Sequence, residues 1–168
     1  MHNVTSVKFV ADDGLVHLRN DCKRRTILRL LLTTSVVVLP LVLGGLIYLA
    51  WRSPSLLMFQ WAETLGVSSH VQELRAFAGP LAPYVPGWVF FSFPDGAWVY
   101  SATAAYLVVW RAKWSTEAAF WVLLPVAMGV GSELGQWFGV VPGTFDFVDL
   151  VFMSLGVFAA FVMIRREK

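Results

Sequence analysis

Residues 27–50 carry a single charged side chain, Arg29, and two further stretches, 115–138 and 147–164, are nearly as free of charge. About 20 predominantly apolar residues let a helix cross a hydrocarbon core about 30 Å thick. These runs therefore predict a chain held in a bilayer by helices. Composition agrees, since 57% of the 168 residues are hydrophobic, against roughly 45–50% in soluble domains. The apolar core of a cleavable signal spans only about 7–15 residues. The first run is longer, so it reads as a retained span.

A fourth apolar run, 87–110, is interrupted by Pro94-Asp95-Gly96. Proline suits the first helical position, where its missing N–H would have no partner anyway, so this span is expected to begin near Pro94. The fold class expected is an all-α integral membrane protein with four spans at about 27–50, 94–110, 115–138 and 147–164. They form one domain over 26–164, between tails at 1–25 and 165–168. Short cytoplasmic flanks carry the excess of Lys and Arg. Lys23, Arg24, Arg25 and Arg29, then Arg111 and Lys113, then Arg165, Arg166 and Lys168 all fall on one side of a four-span map. Only Arg52 and Arg75 fall on the other, so both termini are expected in the cytoplasm. Trp51, Trp88, Trp110, Trp114 and Trp137 sit near the expected span ends, where aromatic belts form.

Residues 52–86 then lie outside the membrane on the far side. Leu57, Trp61 and Leu65, followed by Val71, Leu74 and Phe77, recur at helical spacing among polar residues. This amphipathic pattern predicts one or two short helices lying on the outer leaflet. The net charge of +2 and the absence of interleaved basic and aromatic residues imply no nucleic-acid partner. Cys22, the single cysteine, has no partner for an intramolecular disulfide.

Into this oily frame the sequence places Glu133, Gln136, Asp146 and Asp149 within seventeen residues. On the four-span map the third helix ends, and the second and fourth begin, at the same membrane face, so Asp95 joins them at one level. At about 100° per residue, Gly129, Ser132, Glu133 and Gln136 share one face, opposite Val130, Leu134, Trp137 and Phe138. Asp149, Met153, Gly156 and Ala160 form a narrow stripe on the last span, and Gly131, Gly135 and Gly139 a second small stripe on the third. Small residues permit close helix approach in lipid, so both polar faces are expected to turn inward. Charged groups in hydrocarbon are costly and default to a functional reading. Asp95 also fits a first-turn acid complementing the helix dipole, and Asp146 a turn or cap. His2, His17 and His70 lack any ligand spacing, and no nucleophile elbow, phosphate loop or paired-cysteine motif is present.

At Glu133-Leu134-Gly135-Gln136, followed by Asp149 and, seven residues later, Gly156, the sequence resembles the VanZ-like family of small bacterial membrane proteins. Asp95 matches an earlier acid that opens a preceding span in that family. The likeness covers about residues 94–160. The chain departs from the family pattern at Gly96, at Gly143-Thr144 and at Met153, where Lys, Arg and Asn are common. The resemblance implies a cell-envelope role in a bacterial inner membrane, connected with antibiotic resistance, and no reaction. On that basis the first expectation is an outward-facing acidic site that binds an envelope lipid head group or a glycopeptide-related ligand. The alternative is an intramembrane enzyme acting on a lipid-linked envelope precursor, with a divalent cation held by Glu133 and Asp149 among the acids. Hard cations take such oxygen ligands.

Overall fold

Every apolar run described by the computed structural model is helical. It describes residues 23–24, 31–110 and 113–166. The rest of the expected N-terminal tail, with His2, His17, Cys22 and Arg25, lies outside the described residues, as do 27–30 with Arg29, Arg111 in the loop, and residues 167–168. Two compact units divide the chain, 1–36 and 37–168. In the first, residues 23–24 and 31–36 are helical. The second holds every contact discussed below.

The helices are α1 (Leu31–Trp51), α2 (Leu57–Thr64), α3 (Ser68–Ala78), α4 (Gly87–Phe91), α5 (Phe93–Val109), α6 (Thr116–Trp137) and α7 (Phe147–Arg166), with a 3-10 helix at Gly79–Tyr84. No strand occurs among the described residues. Three helices, α1, α6 and α7, are long and apolar enough to cross a membrane. α5 is shorter, with 17 residues, or about 25 Å at 1.5 Å per residue. Its start is set by Pro94, which cannot donate to the carbonyl four residues earlier, so the chain breaks at Ser92 between α4 and α5.

What α5 lacks in length it makes up in burial. Gly96, Ala97, Val99, Ser101, Thr103, Ala104 and Leu107 are all buried, because their small or compact side chains let the neighbouring helices come close. The carbonyl of Gly96 lies where a Cβ on Gly156 of α7 would stand, and a Cβ on Gly96 would meet the Phe152 carbonyl oxygen at 2.7 Å. Gly44 of α1 gives the same access to Trp98, 2.9 Å from its missing Cβ. Such close backbone contact carries helix association in lipid, where no hydrophobic drive separates helix from solvent. At the end of α5 away from the acids, Ala104, Leu107, Val122, Ala160 and Ile164 form an apolar core, flanked by stacked Tyr106–Trp121 and Trp114–Phe161 rings.

The other end is tied together by α3. Arg75 donates from Nη1 to the carbonyls of Leu49 at 2.9 Å and Arg52 at 2.8 Å, satisfying acceptors that the end of α1 leaves open. The Trp51 indole donates to the Ala78 carbonyl at 3.1 Å. Leu57, Trp61 and Leu65 of the α2 stripe remain exposed, as do Phe77, Tyr84 and Trp88. The Gly131, Gly135 and Gly139 stripe meets no neighbouring helix. Nothing lies near Gly131, Gly135 faces Val141 of its own loop, and Gly139, with φ at 68°, ends α6. There Val140 N–H bonds the Gly135 carbonyl and Gly139 N–H that of Gln136, a left-handed C-terminal cap.

Candidate functional site

α6 delivers Glu133 to the interior. Leu134, Trp137 and Phe138 on the opposite side are 47%, 65% and 74% exposed, whereas Glu133 is 3% exposed. Lower on the same face Gly129 makes room for the Met153 sulfur, 2.8 Å from the site of its missing Cβ. On α7 the inward stripe is Asp149, Met153, Gly156 and Ala160. Asp149 is 9% exposed, Met153 5% and Ala160 fully buried.

The loop between α6 and α7 joins the two acids through Asp146. Glu133 Oε2 accepts the Asp146 backbone N–H at 3.1 Å. The Asp146 side chain in turn accepts the Val148 N–H at 2.8 Å, which makes it the N-cap of α7. Asp146 is itself exposed. Gln136 is half-buried, and its carboxamide packs on Gly143, whose φ of 141° only glycine adopts readily. A Cβ there would lie 2.7 Å from Gln136 Cδ. Asp95, in the first turn of α5, is half-buried.

The charges of Asp95, Glu133 and Asp149 act mutually, and Asp146 acts on Glu133. Asp149 Oδ1 is buried and has no hydrogen-bond partner. Burying a carboxylate oxygen without a donor carries a penalty of roughly 1–3 kcal/mol or more, so this atom marks a place where a donor is wanted. Among the described residues, no three or more His, Cys, Asp or Glu side chains are close enough to hold a metal ion.

Sequence reasoning placed Arg52 merely on the far side of the membrane. It ends α1 half-buried, with its guanidinium 5.4 Å from the Tyr48 ring centre and 5.3 Å from that of Phe91, a cation–π arrangement. From there its positive charge acts on both Asp95 and Glu133. The signal was available in its scarcity, as one of two basic residues assigned to the acid side. α4 closes the margin: Phe90 packs on Trp51 with centroids 4.9 Å apart, and Trp88 stacks on Phe152 at 5.3 Å. On the outer face of α7, a shallow groove of about 280 Å³ is lined by Phe147, Leu150, Val151, Ser154 and Leu155 and includes none of the acids. Comparisons with protein-family models, with curated proteins and with solved structures give no match to this chain.

Proposed function

We propose that this chain is a four-span protein of the bacterial inner membrane, with both termini in the cytoplasm, whose polar site binds the head group of an envelope lipid. Bound lipid alters cell-envelope and antibiotic susceptibility, in keeping with the VanZ-like pattern of Glu133, Gln136, Asp149 and Gly156. α5 is the fourth span. At 17 residues it stands at the short end of the range a crossing requires. The exposed Leu57 and Trp61 of α2 and Leu65 at its end lie in the outer interface, where tryptophan and leucine favour the boundary between head groups and acyl chains.

The observation that carries this reading is the partnerless Asp149 Oδ1 beside Asp95 and Glu133. Buried polar groups are satisfied in most proteins, so one left without a donor at a membrane-facing helix end fits a site completed by ligand. Native mass spectrometry of the purified protein, released gently from bacterial membranes, tests it. Retained lipid is expected with the parent protein, and its loss with Glu133→Gln and with Asp149→Asn at normal membrane abundance. Lipid retention unchanged by both substitutions would contradict the proposal.

A further inference from the structure

We infer that α5 and α6 hold one internal water molecule between the Thr103 hydroxyl and the main-chain carbonyl of Trp121. Thr103 is fully buried, yet its Oγ1 has no hydrogen-bond partner. A serine or threonine inside a helix commonly turns its hydroxyl back to the carbonyl four residues earlier, as Ser154 does to Leu150 at 2.8 Å. Thr103 does not. A buried hydroxyl without a partner costs free energy that an acceptor within reach recovers. Ser101 Oγ is also buried and unpartnered, but two residues turn a helix by about 200°, so it lies on the other side of α5.

The acceptor comes from Pro125, which lies inside α6. Proline has no N–H, so the carbonyl four residues earlier, that of Trp121, loses its partner within the helix, and the ring pushes that turn open. Register brings the two groups together. Val99 Cγ2 of α5 lies 3.4 Å from the place of a Cβ on Gly129 of α6, and the Tyr106 and Trp121 rings stack with centroids 5.7 Å apart. Between these contacts the helices run antiparallel. One turn on from Val99 is Thr103, and one turn back from Gly129 is Pro125, so the hydroxyl and the opened turn stand at one level. Thr103 also shares the helix face of Val99, and Val122 packs with Ala104 and Leu107 just beyond. Because Oγ1 makes no direct bond, a water joins hydroxyl to carbonyl, with the two polar partners that a buried water needs at least. Ordered waters and Ser or Thr side chains satisfy such freed carbonyls in apolar surroundings. The part of α6 that carries Glu133 and Gln136 begins at this break, and the water steadies it against α5.

Thermal unfolding of the full chain in detergent micelles tests this through a double-mutant cycle. Thr103→Val keeps the shape and removes the hydroxyl, while Pro125→Ala returns an N–H to the Trp121 carbonyl. Thr103→Val is expected to lower the midpoint by about 2–4 °C in the parent, the worth of one net hydrogen bond at this chain length. In the Pro125→Ala background it should leave the midpoint unchanged or raised. Thr103→Ser removes only a methyl group and should lower the midpoint equally in both backgrounds. X-ray footprinting reads the water itself without needing Pro125→Ala, because radiolysis of a held water oxidises the side chain beside it. Oxidation of Pro125 is expected in the parent and in Thr103→Ser, and its loss in Thr103→Val. A midpoint that Thr103→Val raises in the parent would show a hydroxyl with no partner, and one lowered equally in both backgrounds a hydroxyl bonded within α5; either would overturn the inference. Coupling in the cycle with no oxidation of Pro125, or with oxidation that Thr103→Val leaves unchanged, would overturn the water site and put a direct bond in its place. Each of these outcomes leaves the head-group reading untouched.

Discussion

Asp149 sets function against stability within one side chain. Its Oδ1 is buried without a partner, so the folded protein bears a desolvation cost, which the proposed ligand would offset. Asp149→Asn keeps the shape and removes the charge. It is expected to raise the thermal midpoint of the lipid-free protein by a few degrees, corresponding to about 1 kcal/mol at this chain length, while lipid retention falls. A lowered midpoint in a thermal unfolding scan would mean that the ionised carboxylate has a partner in the folded state. Asp146 behaves differently because its carboxylate caps α7. Asparagine caps as well as aspartate and alanine does not, at about 1 kcal/mol. Asp146→Asn should therefore leave stability and lipid binding near the parent values, and Asp146→Ala should lower stability; equal effects of the two would show that charge, and not capping, is what position 146 supplies. The sequence made Asp146 either a site residue or a cap, and the hydrogen bond to Val148 places it at the cap while its N–H reaches Glu133.

Among the elements, α5 and α7 depend most on the absence of side chains. The Gly96 carbonyl occupies the space a Cβ on Gly156 would need, and backbone cannot yield as the end of a flexible side chain can. Gly156→Ala is expected to destabilise the protein by about 1–3 kcal/mol through overpacking. Gly129→Ala meets the end of the flexible Met153 side chain, and Val99 at 3.4 Å, but no backbone, and should be milder, as thermal unfolding of the two variants side by side would reveal. Their order reversed would mean that α5 and α7 are not in backbone contact. Helical spacing made the inward faces of α6 and α7 readable, because Glu133, Met153 and Ala160 are buried and Leu134, Trp137 and Phe138 are not. It left open what the Gly131–Gly135–Gly139 stripe does. Spacing alone does not distinguish a packing face from a loop contact and a C-terminal cap, and Gly139 is set by its positive φ. Arg52 escaped for a related reason. Its place depends on Phe91 and Arg75, which are remote in sequence, as well as on Tyr48 one turn earlier, and no local pattern reports the distant two.

At the scale of the whole molecule, the helical class and the three long apolar helices follow from run length and composition, quantities the sequence carries directly. The number of crossings is a different matter, because α5 is short and its burial by neighbours is a tertiary property. Four crossings put residue 63 outside and residue 168 inside. Reporter fusions after Glu63 and after Lys168 should thus report opposite sides of the membrane, and the same side for both would remove α5 from the set of spans. The basic residues cluster at the ends of the chain and at Arg111 and Lys113, a bias that only an even number of crossings places on one face.

On the proposed function the carboxylates of separate helices meet in the protein interior and do not face lipid. This is tested most directly by crosslinking in intact membranes, in a Cys22→Ser background that carries Glu133→Cys together with Asp149→Cys. A short bifunctional thiol reagent is expected to join positions 133 and 149 efficiently, and a control pair with Leu134→Cys in place of Glu133→Cys far less, because Leu134 is on the exposed side of α6. Equal crosslinking of the two pairs, or none at 133 and 149, would contradict the account.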